Sequence, residues 1–535
     1  MDSLEGKSIL KNRVYLYLTE FFAGMAVMAV ELGASRLLAP YFSSSQIVWT
    51  IIIGTIMIAM ALGNMWGGRM ADKDPNPDRL YLRLQVAAVW IAAIPVVGKY
   101  IVIGISGLLV MTVSENFLII AAFLSCMVIF VFPLFLLGTV TPSLVKYTVG
   151  SLDDSGKIVG ALGACNTVGS ILGTFLPTFV TIPAVGTSIT FLLFSGVLLV
   201  IALIYFISSS VRRIFCLAAV VLFVLCSILG NSNSFAFWEK DLVYEGESIY
   251  NYLQVKEDED SVILSTNVLF GVQSIYMKND GLTGMYYDYA LAAPVLADAA
   301  SKENMDILIL GMGSGTYAGQ CRRYFPQASV EGVEIDAKIT DLARTHFGLP
   351  EDVGVATYDG RAYLKGTDKK YDVIMVDAYQ DITIPFQMSS VEFFREVKNH
   401  LTEDGVMVVN MNMKSQDKGS INEYLSDTIA DVFPCVYTVE VEAGTNRELF
   451  AFSDETALSN FGHMEGLDEN LKNRLRMVQR ELAEYQGGDF ILTDDKAPVE
   501  VLGMRVIDGL IQEELGYYKD LFKKKGIRGI IEEGL

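Results

Sequence analysis

Hydrophobic and polar positions are distributed very differently in the two halves of the chain. The first 238 residues contain seven long apolar runs, at about residues 14–35, 46–65, 84–106, 117–139, 158–181, 186–208 and 213–230. A helix needs about 20 mostly apolar residues to cross a bilayer, so these runs are candidate spans. The first run is predicted to be a spanning helix and not a cleavable leader. The pattern predicts a multi-span α-helical membrane domain over residues 1–238.

In the second half, short apolar strands alternate with helical patterns. Strands are predicted at 306–310, 329–333, 353–357, 372–376, 405–410, 435–440 and 448–453. This alternation predicts a parallel sheet with right-handed crossovers. Upstream, strands are predicted at 262–265 and 272–276, followed by a turn at Asn279-Asp280-Gly281 and a helix from Tyr286. We therefore expect a small β-hairpin subdomain at 239–300, followed by an α/β Rossmann-like domain at 301–535.

Composition agrees with this division. The chain is 52% hydrophobic and only 19% charged, which is typical of a membrane protein. Residues 1–238 carry a net charge of +3 and the remainder −24. An acidic second half argues against nucleic acid as a partner and favours small cationic amines, although solubility explains the charge equally well. The six cysteines are scattered without metal-like spacing, so neither disulfides nor a metal site is expected.

Charged residues in the first half suggest an orientation in the membrane. The N-terminal tail and the second, fourth and sixth loops hold eleven Lys and Arg residues, whereas the other loops hold only Arg36. This distribution predicts a cytoplasmic N-terminus. Seven crossings would place the acidic half outside, but one further crossing, a re-entrant segment or a last helix that does not span would reverse that. The multi-pass location is therefore predicted and the side is left open. Glu20, Glu31 and Lys99 are charges within predicted spans, where they mark either function or ion pairing.

The strongest candidate chemistry follows the first strand of the α/β domain. Residues 307–310 lead into Gly311-Met312-Gly313-Ser314-Gly315, and Glu334 follows nineteen residues later at the end of the next strand. Glycines let the backbone approach a ligand, and an acid after the second strand accepts from ribose hydroxyls. Asp336 is expected to cap a helix instead. The predicted nucleoside-binding residues are Gly311, Gly313, Ser314, Gly315, Glu334, Asp359 and Gly360.

With several further segments, these motifs make residues 245–500 resemble the spermidine synthase (polyamine aminopropyltransferase) family. Residues 248–255 resemble its first hairpin, 271–274 its gate segment, and 377–381 with 384–385 and 392–394 its catalytic loop. Residues 492–500 resemble the closing segment of the bacterial branch that carries a fused multi-pass membrane domain. The resemblance implies decarboxylated S-adenosylmethionine or S-adenosylmethionine as co-substrate, no metal, and a homodimer or higher homo-oligomer.

The resemblance also assigns residue roles. It makes Asp377 the base that accepts a proton from the amine, and its position directly after an apolar strand fits that role independently. Tyr286 is expected to act beside it, and Gln273 to contact the nucleoside. An amine with a second ammonium group needs another anion and a wall for its alkyl chain. The predicted substrate-binding residues are Tyr250, Asn251, Asp288, Tyr379, Asp381 and Asp495.

One departure from the family pattern leaves the donor open. Ser314 stands where the family usually has an Asp, which would pair with the amine of the decarboxylated donor. The expected function is a membrane-anchored enzyme that transfers an aminopropyl group to an amine such as putrescine and releases methylthioadenosine. Two alternatives stay open: an S-adenosylmethionine-dependent methyltransferase, and an amine transporter or sensor whose second half only binds nucleoside.

Overall fold

The structure, a computed structural model, describes residues 12–43, 45–110, 113, 116–149, 155–209, 213–230, 235–239, 241–268, 272–279, 281–378, 384–412, 415, 417–442, 444–506 and a few positions between 508 and 524. The chain divides into two compact units. The first contains residues 1–238 and 245–252, and the second contains residues 239–244 and 253–514. The turn at 245–252 is therefore grouped with the helices, and the predicted division into three domains stays a prediction.

The first unit is helical throughout its described part. Its helices are α1 (Arg13–Phe42), α2 (Gln46–Lys73), α3 (Pro77–Val110), α4 (Phe117–Gly138), α5 (Val140–Thr148), α6 (Ser155–Leu176), α7 (Ile182–Ser208) and α8 (Arg213–Leu229). Among the described residues, 5 helical segments are long and apolar enough to cross a membrane. One comprises α4 and α5, and another, 54 residues long, comprises α6 and α7. The shorter apolar helix α8 follows them.

The 54-residue segment is not one straight helix. A π-helical turn at Pro177–Thr181 joins α6 to α7. Within α7, Gly186 has φ 82° and ψ 171°, which interrupts the helical path. Only glycine adopts such a conformation readily, so the break is encoded by this residue. The segment therefore contains two helical runs, in the order of the fifth and sixth predicted spans.

Small residues set the packing of the helices. A Cβ atom on Gly169 would lie 2.0 Å from the backbone oxygen of Phe21, and one on Gly173 would lie 2.1 Å from that of Met25. The backbones of α1 and α6 are thus in direct contact. Such glycine-mediated contacts are typical of helix pairs inside membranes, where burial of apolar surface does not drive association.

The turn at 245–252 is fastened to the helices. Both carboxylate oxygens of Glu247 accept hydrogen bonds from Thr187, one from its backbone N–H at 2.9 Å and one from its hydroxyl at 2.7 Å. Arg36, near the end of α1, donates to the backbone oxygen of Ser248 at 3.2 Å. Charge-assisted hydrogen bonds of this kind fix the geometry of the turn.

The opposite ends of the helices carry the basic loops. Lys146, at the end of α5, pairs with Asp72, at the end of α2, with a distance of 2.8 Å between Nζ and Oδ1. Since α1 and α2 run in opposite directions, the end of α2 and the end of α1 lie at opposite ends of the bundle. Residues 245–252 therefore lie away from the predicted cytoplasmic loops.

A four-stranded sheet begins the second half of the chain. It contains β1 (Leu242–Glu247), β2 (Tyr252–Glu257), β3 (Ser261–Ser265) and β4 (Ser274–Met277), in that order. The pairs β2–β3 and β3–β4 are antiparallel, which confirms the extended segments expected here. Asp280, in the predicted turn, lies outside the described residues.

The second sheet has eight strands. They are β5 (Met305–Leu310), β6 (Ala328–Glu334), β7 (Gly354–Thr357), β8 (Tyr371–Val376), β9 (Leu401–Met411), β10 (Cys435–Glu440), β11 (Arg447–Phe452) and β12 (Ala483–Glu484), in the order β12-β10-β11-β9-β8-β5-β6-β7. Strands β5 to β9 are parallel, as predicted. The expectation of an entirely parallel sheet is wrong, because β10 and β11 pair antiparallel to one another and β11 to β9. The link between β10 and β11 is too short for a crossover.

Helices cover both faces of this sheet. They are α9 (Tyr286–Ala290), α10 (Ala292–Leu296), α11 (Thr316–Tyr324), α12 (Ala337–His346), α13 (Gly360–Gly366), α14 (Val391–Asn399), α15 (Ile421–Ala430) and α16 (Glu469–Glu481). One core packs α9, α10, α11 and α16 on one face, and a second core packs α13, α14 and α15 on the other. The strand order reverses between β5 and β8, and open α/β sheets bind ligands at the carboxyl ends of the strands at such a point.

Candidate active site

The glycine turn lies directly against the chain that leaves β8. Gly311 has φ +83°, and a Cβ atom there would lie 2.4 Å from the Cα atom of Ala378. The backbone N–H of Asp377 donates to the oxygen of Leu310 at 2.9 Å. No side chain fits between these two segments. The close approach therefore brings Asp377 to the edge of the glycine turn, which is predicted to bind the nucleoside co-substrate.

The rest of the turn is held by hydrogen bonds to protein groups. The N–H of Gly313 donates to Oε2 of Glu334 at 2.9 Å. The hydroxyl of Ser314 is buried and shares a hydrogen bond of 3.0 Å with the hydroxyl of Thr316. Gly315 has φ +81°, and a Cβ atom there would lie 2.5 Å from Leu349. The turn therefore has a fixed shape, and its Ser314 side chain is committed to the protein.

Glu334 connects the ends of β5 and β6. Its Oε1 atom accepts from the N–H of Asp336 at 3.0 Å, while Oε2 holds Gly313. Burial raises the pKa of Glu334, and these backbone hydrogen bonds oppose that rise. Each oxygen has a second lone pair that could accept from ribose, and the ribose contact stays a prediction. Asp336 accepts from the N–H of Lys338 at 3.0 Å, which confirms it as the cap of α12.

Asp359 begins α13 and lies half-buried at the end of the β7 segment. Its Oδ1 atom accepts from the N–H of Ala362 at 2.8 Å, and its Oδ2 atom lies 3.5 Å from the amide nitrogen of Gln387. Gly360 follows as the first residue of the helix. The predicted adenine contact by Asp359 stays a prediction. Gln387 was missed, because no strand end or motif marks the segment that carries it.

Asp377 is held at two atoms by two neighbouring side chains. The hydroxyl of Tyr286 donates to Oδ2 at 2.6 Å, and the amide of Asn410 donates to Oδ1 at 2.8 Å. Burial raises the pKa of Asp377 to about 7, while these two hydrogen bonds oppose the rise and the negative charge of Glu334 adds to it. A carboxyl group with this pKa can accept and release a proton near neutral pH.

Tyr286 is kept as a hydrogen-bond donor by its surroundings. Burial, together with the negative charge of Asp377, raises its pKa well above the usual range. Its ring lies 4.0 Å, centroid to centroid, from that of Tyr287 at an angle of 36°. The packed pair orients the Tyr286 hydroxyl towards Asp377, so the structure brings the two predicted catalytic residues into contact.

A second layer of polar groups lies beyond Asp377 on the neighbouring strands. Asn446 donates to Oδ1 of Asn410 at 2.8 Å, which orients the amide that holds Asp377. Glu448 is paired in register with Asn410 and is completely buried. Neither of its carboxyl oxygens has a hydrogen-bond partner among the described residues. Burial raises the pKa of Glu448 well above the usual range, and the charge of Asp377 adds to the rise.

Neither Asn410 nor Glu448 was predicted. The signal for Asn410 was available, since it ends the predicted strand 405–410 next to Asp377's strand, where functional side chains of a parallel sheet converge. No such signal marks Glu448, because its strand runs in the opposite direction.

Asp288 is surrounded by protein donors. Its Oδ1 atom accepts from the N–H and the hydroxyl of Thr283 and from the amide of Gln320, each at 2.9 Å. Its Oδ2 atom accepts from the N–H of Gly284 at 2.6 Å. This arrangement gives Asp288 a role in holding the segment before α9. Its predicted contact with substrate stays a prediction, as does that of Asp495, which is exposed.

The remaining predicted residues are not assembled with Asp377 by the described contacts. Tyr250 and Asn251 belong to the compact unit that contains the helices. Gln273 donates its backbone N–H to Leu264 at 2.9 Å. Tyr379 and Asp381 lie outside the described residues. The described part of the chain holds no group of three or more His, Cys, Asp and Glu side chains that could bind a metal.

Comparison with known proteins agrees with this geometry. Residues 289–445 match the spermine/spermidine synthase domain. The chain is 55% identical over 348 residues to a probable polyamine aminopropyl transferase of Bifidobacterium longum, covering 62% of this chain and 77% of that protein. It is 27% identical over 300 residues to a polyamine aminopropyltransferase of Vibrio vulnificus, covering 52% of this chain and 96% of that one.

Among solved structures, a probable spermidine synthase from Corynebacterium glutamicum matches with a TM-score of 0.36 and 22% identity, over 46% of this chain and 97% of that one. The match to the Bifidobacterium longum protein combines high identity with coverage of most of that protein. The chain therefore belongs to the polyamine aminopropyltransferase family and is an aminopropyltransferase.

Proposed function

We propose that the protein transfers the aminopropyl group of decarboxylated S-adenosylmethionine to a terminal amino group of a diamine such as putrescine. The observation that carries this proposal is the placement of Asp377, which is hydrogen-bonded by Tyr286 and Asn410 at the edge of the glycine turn. A protein that only bound nucleoside would not need a carboxyl group with a pKa near neutrality at this position.

The reaction needs a base more than it needs an acid. An ammonium group has no lone pair, so the amine must lose a proton before it attacks. Asp377 accepts that proton, the nitrogen lone pair forms a bond to the propyl carbon, and the carbon–sulfur bond breaks. The electron pair of that bond stays on sulfur, which leaves as the neutral thioether of methylthioadenosine. Holding the two reactants in line supplies much of the remaining acceleration.

A second acid supports a diamine as acceptor. Glu448 lies two strands from β8 in the sheet order, and adjacent strands are separated by about 4.8 Å. The bare oxygens of Glu448 would gain a partner from the distal ammonium group of a diamine with a few carbon atoms. A buried carboxyl group without partners is costly, so pairing with an ammonium group would favour binding. Binding would require the strand region to admit the chain, since Glu448 is covered in the structure.

The structure constrains the choice between decarboxylated and intact S-adenosylmethionine less than it constrains the base. The side chain of Ser314 is bonded to Thr316 and carries no charge that would repel the carboxylate of intact S-adenosylmethionine. The decisive experiment incubates the purified full-length chain with each donor separately, across a panel of mono- and diamines. Mass spectrometry then identifies the nucleoside and the amine product. We expect methylthioadenosine and an aminopropylated diamine, whereas S-adenosylhomocysteine and a methylated amine would overturn the proposal.

We also propose that the first unit is embedded in the cell membrane. Its support is the length and apolar character of the helices, together with the glycine contacts between α1 and α6. Because the turn at 245–252 is tied to the helix ends opposite the basic loops, we infer that this turn lies on the extracytoplasmic side.

Labelling of intact cells tests this orientation. Ile249 and Lys73 are both exposed and lie at opposite ends of the bundle. A membrane-impermeant maleimide should label an Ile249→Cys protein from outside and a Lys73→Cys protein only after permeabilisation, with the unsubstituted chain as the blank. The reverse pattern would contradict the inferred side, and labelling of both in intact cells would contradict the embedding itself.

A further inference from the structure

Glu20 of α1 is a completely buried carboxyl group inside the helical unit. Its Oε1 atom accepts hydrogen bonds from the hydroxyl of Thr141 in α5 at 2.5 Å and from the amide of Asn166 in α6 at 2.8 Å. Its Oε2 atom is buried and has no hydrogen-bond partner among the described residues. Three helices thus converge on one carboxyl group and leave one of its oxygens unused.

This half-used state differs from that of Glu247 and Asp288. Glu247 uses both oxygens on Thr187, and Asp288 uses both oxygens on its own segment and on Gln320. A carboxyl group that only holds helices together gains most when both oxygens are bonded, since an unpaired buried oxygen costs free energy. No Lys, Arg or His among the described residues forms an ion pair with Glu20. A cation that binds the bare oxygen would therefore come from outside the bundle.

One of the helices that hold Glu20 is interrupted further along the chain. Helices α4 and α5 meet at Thr139, which keeps a right-handed helical conformation. The helix that carries Asn166 runs into the π-helical turn at 177–181 and the break at Gly186. Interrupted helices around an intramembrane ion site are the arrangement by which transporters bind and release cargo.

The contact between α1 and α6 is also suited to movement. On this side Gly24 faces Asn166, and a Cβ atom there would lie 2.5 Å from the backbone oxygen of that residue. With Gly169 and Gly173, this glycine leaves the two backbones in direct contact. Small sliding of packed helices is a common route of conformational change.

The partners of Glu20 indicate which cation fits. The hydroxyl of Thr141 and the amide of Asn166 both donate to Oε1, so the site offers a single negative charge and one bare carboxylate oxygen, which suits a monovalent cation that donates N–H groups. The described residues contain no cluster of three acidic, His or Cys ligands, so a divalent metal is not matched. Amines are the class of substrate on which the catalytic half acts. We propose that the helical half carries primary amines across the membrane, with Glu20 as the carboxylate that binds the ammonium group.

This inference rests on the proposed membrane embedding but not on the identity of the donor or acceptor. Counterflow in proteoliposomes tests it. The full chain is reconstituted, the vesicles are loaded with one unlabelled amine, and uptake of the same labelled amine is followed for putrescine, cadaverine and spermidine in turn. For at least one amine, we expect uptake that exceeds protein-free vesicles and falls about tenfold or more in the Glu20→Gln protein, the scale of a lost charge-assisted hydrogen bond.

Matched variants keep the result interpretable. Gln can accept from Thr141 and Asn166 as Glu does, so the Glu20→Gln protein should fold, and Glu20→Asp should restore part of the exchange. Glu31→Gln, which removes another carboxyl group from the same helix, should leave exchange unchanged. Equal loss in the Glu31→Gln and Glu20→Gln proteins, or full exchange in Glu20→Gln, overturns the role of Glu20.

The same samples are assayed for aminopropyl transfer in detergent, which separates the two proposals. A wild-type protein that transfers the aminopropyl group but shows no counterflow for any amine overturns transport and leaves the enzyme assignment intact. Counterflow without transfer supports transport and counts against the proposed reaction.

Discussion

Tyr286 and Asp377, which are 91 positions apart in the chain, form a hydrogen bond of 2.6 Å between the phenol hydroxyl and Oδ2. The two residues come from the start of α9 and the end of β8. The bond exists because the glycine turn lets the end of β8 pass against β5, while α9 packs on the face of the same sheet.

Replacing Asp377 with Asn should abolish turnover without abolishing nucleoside binding. The amide keeps the shape of the side chain but cannot accept the proton, so kcat should fall by about a hundredfold to ten-thousandfold, the usual contribution of a general base. Calorimetry with methylthioadenosine should give an affinity near that of the unchanged protein. Unchanged turnover in the Asp377→Asn protein would refute the base role.

The rate should depend on pH in a defined direction. Asp377 accepts a proton only as the carboxylate, which forms as the pH rises through its pKa of about 7, so kcat/KM should increase across that range. The hydrogen bonds from Tyr286 and Asn410 favour the carboxylate. Tyr286→Phe or Asn410→Leu should therefore move the rise to higher pH, and a shift to lower pH would contradict this account.

Glu334 should contribute to donor affinity. The Glu334→Ala protein loses a charged acceptor and the bond that fixes Gly313, so nucleoside binding should weaken by about 1–3 kcal/mol. Asp336→Ala is the matched control two residues away. It should lower the free energy of unfolding by about 1 kcal/mol through loss of a helix cap, with nucleoside affinity retained. Equal nucleoside affinity in the Glu334→Ala and unchanged proteins would remove Glu334 from the site.

Glu448 should affect the acceptor more than the donor. If its carboxylate pairs with the distal ammonium group, Glu448→Gln should raise KM for a diamine by about tenfold to a hundredfold, with little effect on a monoamine. Steady-state kinetics with diamines and monoamines of matched length measure the difference. An equal rise in KM for diamines and monoamines would mean that Glu448 acts only through the packing of β9 and β11.

The close approach at Gly311 predicts a matched pair of stability effects. Ala at this position has an unfavourable φ and would place its Cβ atom 2.4 Å from Ala378, so Gly311→Ala should lower the free energy of unfolding by about 1–3 kcal/mol. Gly319 lies within α11 with nothing within 4 Å of a Cβ atom. Gly319→Ala should therefore increase stability by about 0.5–1 kcal/mol. Denaturant titration of both proteins checks the contrast.

The sequence predicted the parallel part of the sheet because apolar runs such as those of β5 and β8 alternate there with helical patterns. Alternation of strands and helices does not distinguish a crossover from a hairpin once links become short. The antiparallel strands β10 and β11 were for that reason expected to be parallel.

The candidate site likewise contains residues that could be predicted from the sequence and residues that could not. Asp377, Glu334 and the glycines could be predicted because their positions follow from strand ends and from backbone geometry. Asn410 could have been found by the same rule. Glu448 could not, since its significance lies in being buried without partners, and that depends on residues far away in the chain. Asp288 illustrates the converse, because an acid that looked available in the sequence is occupied by Thr283, Gly284 and Gln320.

The turn at 245–252 has a practical consequence for work on the enzymatic half. A cut after Trp238 would keep Glu247 and Ser248 but remove Thr187 and Arg36, so the first pair of strands would lose its fixed point of attachment. Activity measured on a shortened protein of that kind would report on a molecule with a loosened first hairpin. Enzymology of this chain is therefore best done on the intact polypeptide in detergent or lipid.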